Sequence, residues 1–425
     1  MGGVRRNTPI LLLAVGHACV DIYQGAVAAL IPFFVAERDY TYAAASGVVL
    51  AASLLSSVAQ PLFGLLTDRW AMPWLLPVST LLGGVGIALS GLGGSYGLTL
   101  FFVAVSGIGV AAYHPESARV ARQAGQGSHR AMGWFSLGGN VGFALAPLMV
   151  AAAVGHGSLQ WTPVLVLPAL AGTALCVPVL RMLARPRTGT ARTRTPHSAD
   201  DVASFVKLSL AVVFRSIVFT GLSTFISLHA QQRMQGSTTA GTAALFLLFL
   251  GGAVGSVLGG CLAGRYDRVR VSRWSYLLSV AAVTGVIHTP GPAMFLFVAL
   301  TSAGLYVPFS LQVTLAQDYL PSRIGTAGGI TLGLTVSIGG LISPLLGHLA
   351  DTTTLQTALT PLIAMPALSW ILFRTLPEPP APAVALGGHD QAQVPGEQGL
   401  SGDAGEWGPR RRSRDRSRRP AVRPR

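Results

Sequence analysis

The 425-residue chain is 51% hydrophobic and 11% charged, with a mean hydropathy of +0.54. That excludes a soluble globular domain, whose surface needs far more charge. The net charge of +14 raises nucleic-acid binding, but the cations sit between apolar runs rather than along an amphipathic face, which excludes it.

Apolar runs of about 20 residues, long enough to cross a hydrocarbon core of roughly 30 Å, recur along the chain. Breaking them at Gly, Pro and charge clusters gives about twelve spans, near 10–36, 43–66, 73–92, 96–118, 131–154, 161–183, 204–229, 240–263, 274–289, 292–315, 326–349 and 355–375. Arg5-Arg6 ahead of Leu11-Leu12-Leu13 resembles a signal-peptide start, but the run continues to Phe34 and holds His17 and Asp21, so a retained first span is expected. His17, Asp21 and Gln24 follow an i, i+4, i+7 spacing on one helical face. Asp21 lies near mid-membrane at about 1.5 Å per residue.

Charges inside spans cost roughly 2.5–3.5 kcal/mol each, so each is a functional candidate. For Asp21 and His17 the choice lies between a proton-loading pair and a structural hydrogen bond tying span one to a neighbour. Gly64, Asp68 and Arg69 form a polar turn after span two, either a plain capped loop or a latch that opens and closes. Span four carries Tyr113, His114, Pro115 and Glu116; Glu116 serves in proton coupling or simply pairs with Arg119 at i+3. Gly138, Gly142 and Ala146-Pro147 make a small-residue stripe in span five, suited to close helix packing.

Residues 184–203 form a polar, basic cytoplasmic linker between an N-terminal half, 1–183, and a C-terminal half, 204–376. Arg215 falls mid-span in span seven and, permanently charged, must meet a carboxylate, a carbonyl or an anionic substrate. Lys207, His288, His348 and Asp351 sit near span ends, as interface anchors. Residues 377–425, ending in an Arg-rich run, are expected to be a disordered cytoplasmic tail. The cysteines Cys19, Cys176 and Cys261 lie in apolar runs at no metal or redox spacing.

Connections alternate between basic and cation-poor, which puts both termini in the cytoplasm by the positive-inside rule. Two features repeat about 198 residues apart. The Gly64…Asp68-Arg69 turn recurs as Ala263…Asp267-Arg268, and Gly142 with Ala146-Pro147 recurs as Gly339 with Ser343-Pro344. The halves are therefore parallel six-span units, an architecture with a central site between them.

These residues resemble the major facilitator superfamily over roughly residues 10–375. The Gly64…Asp68-Arg69 turn is similar to its loop motif between spans two and three, though Trp70-Ala71-Met72 stand where a Gly and further basic residues usually follow. The Gly138–Pro147 stretch resembles the span-five motif of drug antiporters. Gly16-His17…Asp21…Gln24-Gly25…Leu30-Ile-Pro32 and Gly107-Ile-Gly109…Tyr113-His114-Pro115-Glu116 resemble the fosmidomycin-resistance branch. The resemblance implies an all-α integral membrane fold of two six-helix repeats and a proton-driven exporter of a drug or small anionic compound.

On this reading Asp21, His17, Glu116 and His114 handle protons. Arg215, Gln24, Tyr23 and Tyr113 face substrate, while Gly64, Asp68, Arg69, Asp267 and Arg268 form gates. Its partners are a small-molecule substrate, protons and the lipid bilayer of the plasma membrane, and the chain is monomeric. No cofactor is expected beyond the proton gradient. Uptake of a small anionic metabolite and a transporter-like sensor are the alternatives. A membrane enzyme is disfavoured: His17 and Asp21 could be half a metal pair, but no Cys cluster or His-Glu-x-x-His completes it. No phosphate-cradling loop suggests an ATP-driven pump.

Overall fold

The computed structural model describes residues 2–126, 129–155, 157–183 and 199–379. Most of the linker and the Arg-rich run of the tail lie outside the described residues, which are helical and contain no strand. The first half comprises α1 (Gly2–Arg38), α2 (Tyr42–Arg69), α3 (Leu75–Ser90), α4 (Tyr96–Ala124), α5 (His129–Val154) and α6 (Leu167–Leu183). The second comprises α7 (Val202–Arg233), α8 (Thr238–Ala263), α9 (Arg268–His288), α10 (Met294–Tyr319), α11 (Ile324–Thr352), α12 (Leu355–Leu359) and α13 (Ala364–Arg374). Among the described residues nine helical segments are long and apolar enough to cross a membrane, and Leu75–Ser90 is a shorter apolar helix. Helices suit that setting because hydrocarbon offers no partner to an unpaired backbone group.

The sixth and twelfth hydrophobic segments share an irregularity. Each contains a 3₁₀ turn, Leu159–Val166 before α6 and Thr360–Ile363 between α12 and α13. Prolines lacking an N–H interrupt the ladder in both, Pro163 and Pro168 in one, Pro361 and Pro366 in the other. The internal repeat thus extends to a local backbone distortion.

The chain enters at what we call the terminal end of the bundle; α1 carries it to the distal end. There Glu37 accepts from the Leu159 N–H (2.9 Å) and the Arg38 guanidinium donates to the Gly91 (2.7 Å) and Gly93 carbonyls. The charged 37–39 turn therefore braces the distal loops of the first half. Within that half α5 lies close against α1. A side chain at Gly138 or Gly142 would run into the Ala14 or Ala18 carbonyl, and one at Gly25 would stand 2.7 Å from the Ala146 Cβ. Such close approach suits helices in lipid, where packing rather than hydrophobicity holds them together.

The halves meet along α2 with α11 and α5 with α8. Gly340 faces Ser53, and Gly347 faces Ser46 and the Tyr42 backbone. At the distal end the Asp351 carboxylate, on α11, accepts from the backbone N–H groups of Tyr42 (2.7 Å) and Ala43 (2.9 Å) at the start of α2. Gln232 donates to the Tyr42 hydroxyl at 2.9 Å. A carboxylate from one half thus caps a helix of the other, opposite the positive end of its dipole.

The expected latch residues sit differently from a loop. α2 runs helical through Gly64 to Arg69, whereas α8 ends at Ala263 and Asp267 is the residue before α9. The matched turns therefore fall on different elements. The Asp68 side chain lies outside what is described, Arg69 is exposed, and nothing crowds Gly64. Asp267 makes no side-chain cap bond; Glu378 caps α9 instead, accepting from the Val269 N–H at 2.8 Å. Arg268 spans Asp318 (2.6 Å) and Glu378 (2.8 Å). Pro377 and Glu378, assigned above to the tail, are tied to the helical body, Pro377 through the Tyr319 hydroxyl at 2.7 Å.

A buried histidine–aspartate–histidine cluster at the centre

His17 and Asp21 on α1 share a face, and α4 brings His114 to the same point. Asp21 receives both imidazoles, His17 Nε2 at 3.3 Å from Oδ2 and His114 Nε2 at 3.2 Å from Oδ1. His17 and Asp21 are each 7% exposed. Both rings are held from behind. His17 Nδ1 lies 2.9 Å from the Phe135 carbonyl and His114 Nδ1 lies 2.7 Å from the Val110 carbonyl. His17 also stacks on the Phe135 ring, with centroids 4.3 Å apart.

These back contacts decide the chemistry of the front. A carbonyl only accepts, so each Nδ1 carries the proton and donates it. In a neutral ring the Nε2 facing Asp21 is then a bare lone pair. Set against an ionised carboxylate, that contact is repulsive; with a proton in it, the contact is a hydrogen bond. Two such contacts converge on one carboxylate, so the cluster has places for up to two protons. Charged contacts buried this deeply depend on being paired.

Gly139 closes the cluster from α5. A Cβ there would stand 2.5 Å from Asp21 Oδ2 and 2.7 Å from His17 Cε1. Tyr113 is buried beside it, its ring centroid 6.0 Å from that of His17, and its hydroxyl finds no partner among the described residues. His17, Asp21, His114 and Tyr113 are thus brought together. Glu116 and Tyr23 are not. Two residues on from His114, Glu116 points elsewhere and is held by both the Nε (2.8 Å) and the terminal nitrogen of Arg119, the pairing weighed from sequence. Tyr23 packs against Gly83 and Gly84, and its hydroxyl donates to the Leu165 carbonyl at 3.0 Å. Gln24 is half-buried on α1.

Arg215, on α7 of the other half, is 1% exposed and lies over the rings of Phe309 (5.0 Å) and Tyr306 (5.8 Å). Such cation–π placement is worth about 2 kcal/mol when desolvated. Tyr306 is half-buried on α10 beside Arg215. Rings connect the halves around it: Phe143 on α5 meets Phe249 on α8 edge-on (4.5 Å), and Phe219 bridges Phe249 (6.1 Å) to Tyr306 (4.9 Å). Sequence reasoning missed this aromatic chain and Gly139. The signal for Gly139 was its place beside the stripe residue Gly138; the rings had none, being scattered over four helices.

The sequence model of the Major Facilitator Superfamily matches residues 13–344. The chain is 29% identical to the fosmidomycin resistance protein of Escherichia coli strain K12 over 373 residues, covering 83% of this chain and 90% of that protein. It is 28% identical to YfnC, an uncharacterized MFS-type transporter of Bacillus subtilis strain 168, covering 86% and 91%. Among solved structures it is similar to a bacterial homolog of the human lysosomal transporter Spinster in an inward-facing, occupied conformation. The TM-score is 0.72 at 16% identity, over 86% of this chain and 95% of that one.

Proposed function

The chain belongs to the major facilitator superfamily, a family of membrane transporters rather than enzymes, and on that premise we propose that it exports a drug or small anionic compound in exchange for protons. The observation that carries the reading is the pair of Nε2···Oδ contacts on Asp21. Protons entering them turn two repulsive contacts into hydrogen bonds and change the net charge at the centre by one or two. Arg215 keeps its charge throughout and supplies the anchor for an anionic group, its planar fork matching a carboxylate or phosphonate. Asp21 and the two histidines belong to the first half and Arg215 to the second, so a change of charge in one half alters the field on a solute held against the other.

The similarity to the fosmidomycin resistance protein supports export over uptake. The distal contacts of Asp351 close the seam at one end, and rocking of the halves about the central site then opens one end as the other closes. The charge alternation of its connections supports an orientation with both termini cytoplasmic.

The test is transport in sealed vesicles with an imposed pH gradient. We expect wild type to move anionic drugs against their gradient with proton counterflow, and Asp21→Asn to lose the coupling while still binding substrate. Asp21→Asn transporting with an unchanged pH dependence would remove the cluster from the mechanism. Solute moving with the protons instead of against them would make the protein an uptake system. Binding without movement would make it a sensor.

A further inference from the structure

On the face between α8 and α9, at the terminal end and away from the central site, lies an open groove of about 420 Å³. Leu262 and Tyr266 form one wall, and Arg270, Trp274 and Leu278 form the other. Those last three are spaced i, i+4, i+8 on α9, a single stripe descending about 6 Å per step. A cation comes first, an indole next and a leucine deepest. Tyr266, Trp274 and Leu278 are 54%, 58% and 51% exposed. Val271 closes the floor, packed on Val307 and Leu311 of α10.

The charges at its mouth are unbalanced. Arg268 is engaged by Asp318 and Glu378. Arg270 and Arg265 are exposed and Arg273 is half-buried, with Asp267 the nearby acid. We propose that this groove is a binding site for an anionic glycerophospholipid. Its phosphate meets Arg270, its glycerol backbone lies against the Trp274 indole and the Tyr266 ring, and one acyl chain runs along Leu262 and Leu278. The order of side chains down the stripe follows the cross-section of such a lipid. Cations mark the headgroup, amphipathic rings the interface and aliphatic side chains the hydrocarbon.

The full-length protein is tested in vesicles containing phosphatidylglycerol or phosphatidylcholine with brominated acyl chains, which quench nearby tryptophan. The Trp274 signal is the difference between wild type and Trp274→Phe. We expect at least twofold stronger quenching by the brominated phosphatidylglycerol at equal mole fraction. Arg270→Gln abolishes that preference and Arg270→Lys retains much of it. Equal quenching by both lipids in wild type, or an undiminished preference in Arg270→Gln, overturns the proposal. So does relief of quenching by millimolar glycerophosphate, which would assign the site to a free phosphate compound. Retained phosphatidylglycerol, counted by native mass spectrometry in wild type and Arg270→Gln, gives a second measurement independent of Trp274; equal retention overturns the proposal too.

Discussion

A methyl group on Gly139 would stand 2.5 Å from the Asp21 carboxylate and 2.8 Å from His17 Nε2, so this position measures how tightly the cluster is set. Gly139→Ala should displace the carboxylate and lower the transport rate at least tenfold, with helical content and membrane yield kept. Gly133→Ala, on the same helix with nothing within 4 Å, is the matched control and should transport normally. Glu116→Gln should act on stability alone. It breaks the pair with Arg119 at a cost of about 1–2 kcal/mol, less than for a wholly buried pair because Arg119 is partly exposed. A lowered thermal midpoint with an unaltered pH–rate profile is the expected result; a shifted profile would return Glu116 to the proton path. Helical spacing gave His17 and Asp21 from one helix, since i and i+4 must share a face. It could not give the meeting with His114, 93 residues later in sequence, because that depends on the relative rotation of α1 and α4. For the same reason the sequence reading, which set Tyr23 facing substrate, could not give its turn toward Gly83 and Gly84 of α3.

At the scale of whole elements, α2 shows how the halves hold one another. Thr41 caps its own helix by accepting from the Ala44 N–H at 3.1 Å, and Asp351 satisfies two further N–H groups from across the seam. Opening the distal end means losing those two bonds to water. Asp351→Ala should therefore favour the distally open state by about 1–2 kcal/mol, roughly five- to thirtyfold in population. The measurement is labelling of Ser46→Cys, which faces Gly347 across the seam, by a membrane-impermeant thiol reagent in a Cys261→Ser background. The rate should rise several-fold when Asp351→Ala is added, and an unchanged rate would show that Asp351 does not hold the seam. Hydropathy located the helices well because lipid leaves the backbone few options. It placed Asp351 correctly at a span end yet said nothing of its partner, since a carboxylate near a helix C-terminus is by itself unremarkable in sequence. The turn after α2 misled for a related reason: the polar residues that read as a loop are the last turn of a helix leaving the hydrocarbon.

For the whole molecule, the re-entry from the linker into the second half is built into the bundle. Asp200 accepts from the Ser322 N–H at 3.0 Å, and the Asp201 N–H donates to the Tyr319 carbonyl at 2.7 Å. Asp201 also caps α7, and the hydrogen bonds from Ser204 hold its carboxyl below the usual carboxylate range. A carboxyl lowered on folding contributes stability above its unfolded value and loses it as pH falls through the folded one. Asp201→Ala should lower the thermal midpoint at neutral pH, and its difference from wild type should disappear in acid. A gap that persists in acid would mean that the charge is not what stabilises α7. The parallel two-half plan was readable from matched residues about 198 apart because repeats preserve spacing. The paired prolines of the sixth and twelfth segments were equally present in the sequence, but their effect on the backbone becomes plain only once both 3₁₀ turns are seen.

Under the proposed exchange of solute for protons, the two imidazoles on Asp21 also set a gear ratio. Each proton that crosses with the gradient contributes about 1.4 kcal/mol per pH unit, enough to sustain roughly a tenfold concentration ratio of an uncharged solute. A cycle that fills and empties one contact is limited to that ratio; a cycle that uses both reaches about a hundredfold at the same gradient. Removing His114 while keeping His17 and Asp21 should then yield a carrier that still runs, but stalls against a smaller load.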